Sequence, residues 1–186
     1  MATFIWYIIL AVAVVVGWFV YAYNRLVTLK IRSSEALSDV DVQTKRRYDL
    51  IPNLIEAVKG YMQHERNVLE NVTKARTEAM ATTGTSLERE GKENFLSNTL
   101  KTLFAVAENY PDLKANANFL DLQRELADTE NKIQAARRFY NANVRDLNTK
   151  IEVFPSKIVA NIFRFEKIEF FKAVSAEERE PVKVRF

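Results

Sequence analysis

The chain contains one histidine, His64, followed at once by Glu65. Histidine and glutamate begin the helical zinc-protease motif, but that motif needs a second histidine one turn further on. With a single histidine, one chain supplies no His pair, no two-His metal site and no Ser–His nucleophile. There is no cysteine, which removes disulfides, thiolate metal sites and thiol nucleophiles. Gly17, Gly60, Gly84 and Gly91 are too dispersed to make a phosphate-cradling loop. Acidic pairs such as Glu177-Glu178 are plentiful, yet none stands in an apolar setting that would raise a carboxyl pKa. Lys45-Arg46-Arg47 is the densest basic run. It reads as a solvated helix end meeting its own carbonyl dipoles, with a phosphate or an acidic partner as the other reading. His64 reads as a surface or interhelix hydrogen-bonding residue. The sequence therefore assigns no catalytic, cofactor-binding or metal-ligating residues, and the expectation is a protein that is not an enzyme.

What must be positioned, then, is a scaffold. Only four Gly and four Pro occur in 186 residues, too few for the turns of a sheet protein, so the chain is expected to be all-α. The net charge of +3 comes from 27 basic and 24 acidic residues with interspersed signs. That is the pattern of solvated helix faces and not of a nucleic-acid surface.

Phe4 to Tyr23 is a run of 20 residues without a charge. As a helix it reaches ~30 Å, the hydrocarbon thickness of a bilayer. Trp6 and Tyr7 lie near one end, and Trp18, Tyr21 and Tyr23 near the other, where amphipathic rings prefer the headgroups. The run reads as a membrane anchor. A cleaved signal peptide ending at Val20-Tyr21-Ala22 is the competing reading, opposed by the length of the run and the lack of a preceding Lys or Arg. Arg25, Lys30 and Arg32 follow the anchor before any acidic residue, so the amino terminus is expected outside and the remaining chain in the cytoplasm.

Beyond the anchor, Leu26, Leu29, Ser33, Ala36, Val40 and Gln43 recur at three- and four-residue steps with no helix breaker before Arg47. The anchor is thus expected to continue into the domain as an upright stalk. A break is predicted at Tyr48 to Pro52, with Asp49 as N-cap and Pro52 in the first turn of a second helix running to about Met80. A kink at Pro52 in one continuous helix is the alternative. A loop at 81–84 leads to a capping box formed by Thr85 and Glu88. The third helix carries Leu96, Leu100, Leu103, Ala107 and Tyr110 and ends at Pro111. Asn118 is predicted to cap a fourth helix from Phe119 to Phe154, with a heptad-like stripe through Leu126, Ile133, Tyr140 and Leu147. The sequence thus divides into an anchor (1–23), an elongated antiparallel four-helix bundle (24–154) and a Phe-rich basic tail (155–186). In such a bundle the Asp49–Leu54 and Tyr110–Asn116 joints share one end, so Asn53 is expected near Asp112. Five of the twelve Phe fall within 154–171, among Lys157, Arg164, Lys167 and Lys172, and Val182, Val184 and Phe186 alternate like a strand. The Phe-rich segment has three possible coverings: its own bundle or stalk, a neighbouring subunit, or anionic lipid.

Several strings resemble the signature of the LemA family. They are Ser38 to Gln43 with Lys45 to Leu54, Val58 to Tyr61 with His64-Glu65, and Tyr110 to Ala115. Glu130 to Ile133, Ala136 to Asn141, Val144, Asn148 and Phe154-Pro155 complete the pattern. The resemblance runs from Tyr23 to about Phe171. It implies a bacterial membrane protein with one amino-terminal span and a helical-bundle domain, and it carries over no catalytic residues. Three functions are weighed: a self-associating membrane scaffold; a tethered adaptor or regulator of a protease, phosphatase or signalling partner; and an enzyme whose site assembles between subunits. The first is favoured. The expected partners are the lipid bilayer, other copies of the chain and an unidentified protein, with no cofactor.

Overall fold

Between Ala2 and Lys59 the one residue that should stop a helix is Pro52, and it does not. In the computed structural model, which describes residues 2–82 and 86–171, α1 is a single helix of 58 residues, Ala2–Lys59, with Pro52 inside it. It is followed by α2 (Arg66–Ala81), α3 (Ser86–Ala107), α4 (Pro111–Lys114), α5 (Ala117–Glu152) and α6 (Ser156–Ile162). Among the described residues there is no strand. The Thr85 capping box and the strand-like end at 182–186 lie outside the described residues.

The predicted break at Tyr48 to Pro52 is therefore corrected to the kink-or-continue alternative, and the reason is local. Proline at position i withdraws the donor that the carbonyl of i−4 would receive, at a cost of ~3 kcal/mol or more in a helix interior. Here that carbonyl is Tyr48 O, and the Arg76 guanidinium of α2 donates Nε–H to it at 2.8 Å. A side chain from the next helix replaces the missing backbone donor, so the helix survives its proline. The true end of α1 comes at Gly60, where the Tyr61 and Met62 amides fold back onto Val58 O. His64 is exposed in this joint.

The structure divides into two compact units, each with its own core. The first comprises Met1–Asp39 with Ala136–Phe170. In it Ala22, Leu26 and Leu29 of α1 pack with Leu147 and Ile151 of α5 and with Val159 and Ala160 of α6. The predicted stripe continues through Ser33 and Ala36, both buried, and the Ser33 hydroxyl is satisfied by Leu29 O of its own helix. The apolar residues from Phe4 to Val16 are exposed instead. Among the described residues α1 alone is long and apolar enough to cross a membrane.

The second unit is built on Val40–Ala135. The second half of α1, with α2, α3, α4 and the first half of α5, encloses Ile51, Leu54, Val58, Met62, Val72, Leu96, Leu103, Leu113, Phe119 and Leu126. The joints at 60–65 and 110–116 meet within this unit. Tyr110 donates its hydroxyl to Glu65 at 3.4 Å, and the Asn116 amide donates to the Tyr61 hydroxyl at 3.2 Å. The joint that shares an end with Tyr110–Asn116 is thus Gly60–Glu65, which begins about two helical turns beyond Asn53. Asn116, rather than Asn118, caps α5: its Oδ1 accepts the Phe119 amide at 3.1 Å. Burial first, and Glu65 second, hold the Tyr110 phenol above its usual pKa.

Arg76→Met should lower stability by about 1–3 kcal/mol, the cost of stranding a partly buried carbonyl. In a Pro52→Ala background the restored amide can serve Tyr48 O, so the same Arg76→Met change should cost far less. Urea unfolding of the four detergent-solubilised variants, followed by helical circular dichroism, measures that coupling directly. Equal costs in both backgrounds would mean that Arg76 contributes only by packing.

Candidate functional site

The most concentrated chemistry in the structure is inside the second unit. Arg47 occupies the buried stripe of α1, seven residues after Val40 and four before Ile51, and is 1% exposed. Its guanidinium donates to the Ser97 hydroxyl of α3 at 2.8 Å. It also pairs with Glu93 of α3 and with Glu130 of α5. Ser97 in turn donates to Glu130 at 3.1 Å, and the Gln134 amide donates to the other Glu130 oxygen at 3.1 Å. The neighbouring Tyr48 hydroxyl donates to Glu93. One cation and two carboxylates, brought from three helices, thus form a closed polar cluster within an apolar core.

This corrects one expectation. Lys45-Arg46-Arg47 is not wholly a solvated helix end: Lys45 and Arg46 are exposed, whereas Arg47 lies on the inward face. Glu90 and Glu93 of α3 are almost fully enclosed as well. Position 47 continues the 26-29-33-36-40 rhythm, and that phase was the available signal. A strongly basic residue type at an a/d position obscured it. Glu93 and Glu130 could not be picked from α3 and α5 without knowing that Arg47 needed partners.

The cluster suits positioning better than reaction. Removing three charged groups from water is repaid only with the help of well-placed hydrogen bonds, and hydroxyls of Ser97 and Tyr48 and the Gln134 amide supply some of these. No group of three or more His, Cys, Asp or Glu able to hold a metal occurs among the described residues. An open groove runs between the end of α1 and α2, lined by apolar Ile51, Pro52, Ile55 and Leu69 and by charged Glu56, Lys59, Arg66, Glu70 and Lys74.

The first unit has a second set of positioned groups, which holds the segment after α6. Asn148 of α5 takes both backbone groups of Ile168: its Nδ2 donates to Ile168 O at 2.9 Å and its Oδ1 accepts the Ile168 amide at 3.0 Å. The Tyr140 hydroxyl donates to Glu169 O at 3.1 Å. Lys167 donates to Glu152 at 2.6 Å and holds that carboxyl below its usual pKa. Phe163 meets Tyr23 in a tilted contact and Phe165 meets it edge-on, with ring centroids 4.5 and 6.0 Å apart, and Phe163 also meets Phe19. The Phe-rich segment is therefore partly packed on its own stalk. Phe171 is buried, so it cannot serve as a surface contact. Phe154, expected in the inward stripe of α5, is 81% exposed, because α5 ends at Glu152 and Phe154 lies beyond its last turn.

Arg47→Met should cost about 3–5 kcal/mol, because it leaves buried carboxylates without their cation. Combining it with Glu93→Leu and Glu130→Gln should recover most of that loss in denaturant unfolding. If the single variant matches the wild type, the cluster contributes nothing to folding.

Residues 36–186 match the LemA family. The chain is 23% identical to magnetosome protein MamQ 2 of Paramagnetospirillum magneticum, over 88% of this chain and 70% of that protein. It is 25% identical to protein LemA of Metamycoplasma hominis, over 94% of this chain and 80% of the relative. Magnetosome protein MamQ of Magnetospirillum gryphiswaldense is 22% identical, over 80% of this chain and 64% of that protein. The matched span takes in the Arg47 cluster, the proline-bearing turn of α1 and the Asn148 clamp, and the chain belongs to the LemA family.

Proposed function

We propose that the protein is a membrane-anchored helical scaffold that self-associates at the bacterial cell membrane, with its amino terminus outside and the helical units in the cytoplasm. The observation that carries this reading is the use to which the buried polar groups are put. Arg47, Glu93, Glu130, Tyr48 and Arg76 join helices of one unit to each other, and Asn148 and Tyr140 secure a chain segment. Their geometry yields rigidity, which a scaffold needs, and no reaction is proposed. Relatives named for the magnetosome, and protein LemA, support a place at a membrane and designate no enzyme. Ile31, Val42, Phe95 and Phe139 stand about half exposed outside the apolar run and offer surface to a second copy.

The second reading, an adaptor or regulator of a protease, phosphatase or signalling partner, draws on the groove between α1 and α2. Light scattering on the detergent-solubilised full chain separates the two. A protein mass that is a defined multiple of 21.5 kDa supports the scaffold, and a monomer favours the adaptor. Protease added to intact cells should leave the helical units uncut. Digestion from outside would reverse the orientation.

A further inference from the structure

The seven-residue helix α6 is apolar on two sides. Val159 and Ala160 face the protein and are fully buried. Ile158 and Ile162, one helical turn apart, face outward at 49% and 59% exposure, and Phe154 lies exposed just before the helix. A soluble surface seldom leaves such a contiguous set of large apolar side chains uncovered.

Its position identifies the cover. Phe163, immediately after α6, meets Phe19 and Tyr23, while Trp18, Phe19 and Tyr23 flank the core to which Val159 and Ala160 belong. Those α1 residues form the inner aromatic end of the apolar run, the level at which headgroups meet acyl chains. α6 is thus placed beside the inner aromatic end of the apolar run. Lys157 and Arg164, both exposed, flank it, and their long stems let the charges reach the phosphate level while the apolar groups sit deeper. Arg164 holds φ 55° in the turn that closes α6, with Phe165 N donating to Ala160 O and Arg164 N to Asn161 O. This is the Schellman closure, which returns the chain toward α5 and keeps α6 at the end of the unit.

We propose that α6 is a second membrane contact: Ile158 and Ile162, with Phe154, enter the headgroup–acyl boundary of the leaflet that Trp18 and Tyr21 mark. A single spanning helix leaves its attached unit free to tilt and rotate, and a second contact beside it fixes both. The proposal rests on the reading of the apolar run as a span, and the experiment tests the two separately.

Because the chain has no cysteine, single-cysteine variants label uniquely. Full-length Ile158→Cys, Ile162→Cys, Val12→Cys and Arg138→Cys proteins would carry an environment-sensitive nitrobenzoxadiazole probe. They would be reconstituted in vesicles of phosphatidylethanolamine and phosphatidylglycerol. Doxyl-labelled lipid should quench the probes at 12, 158 and 162 several-fold more than the probe at 138, and iodide should quench them less. Quenching at 12 with probes at 158 and 162 behaving like 138 would overturn the α6 proposal and leave the span standing. Loss of quenching at 12 as well would overturn the span reading itself. Pyrene excimer emission from 158 or 162, without doxyl quenching, would make a second copy of the chain the cover and would equally overturn the proposal. Positions 158 and 162 are both exposed, so one suffices if the other perturbs the helix.

Discussion

A guanidinium taken out of water must be met by acceptors wherever it is put, and Arg47 is almost fully enclosed. That demand fixes much of the second unit. α3 must present Glu93 and Ser97 to it, and α5 must present Glu130, so three helices share one register. A one-residue turn of any of them, ~100° about its axis, would remove a carboxylate from the cation. The adjacent residue extends the constraint to α2, because Tyr48 gives its hydroxyl to Glu93 and takes the Arg76 guanidinium on its carbonyl. The stretch of α1 from Arg47 to Pro52 is therefore the hub of that unit. Apolar replacements of buried ion pairs are often as stable, so what the cluster adds is a specified register between the three helices.

The first unit solves a different problem with different forces. Its α1 segment has small and aliphatic inward residues, Ala22, Leu26, Leu29 and Ala36. What needs fixing there is the chain after Pro155, which has no long helix of its own. The Asn148 amide binds that chain as a neighbouring strand would, one donor and one acceptor to the same residue. The ring contacts of Phe163 and Phe165 on Tyr23 then hold it to the stalk. Backbone hydrogen bonds set the path of the segment, and aromatic area supplies its adhesion.

Periodicity made most of this legible. The α1 stripe from Leu26 to Val40, the α3 stripe through Leu96 and Leu103, and the α5 stripe through Leu126, Ile133, Tyr140 and Leu147 are all buried as their spacing requires. Periodicity failed where one side chain answered a need arising elsewhere in the chain. Pro52 reads as a breaker because its rescuer, Arg76, lies 24 residues on and is ordinary in its own context. Arg47 reads as surface because its carboxylates belong to helices that no local pattern joins to it. The joint at Gly60–Glu65 was passed over for a similar reason. Val58, Met62, Leu69 and Val72 still look like one face, although the run of buried positions jumps from Met62 to Val72. The tail's Phe residues carried no helical rhythm, and only packing could sort buried Phe171 from exposed Phe154.

The strings that carry the family resemblance can be sorted by what the fold consumes. Arg47, Tyr48, Tyr61, Glu65, Tyr110, Glu130, Tyr140 and Asn148 are accounted for by bonds that hold helices, joints or the tail. A signature composed of such residues describes how a framework is kept rigid and says nothing of a reaction. Phe139 stands apart within the Ala136 to Asn141 string. It lies between buried Arg137 and Tyr140, yet it is 58% exposed and fills no core. A large aromatic ring that does nothing for its own unit gains about 1.5–3 kcal/mol only when another surface covers it. Under the proposed self-association, a second copy of the chain would be that surface.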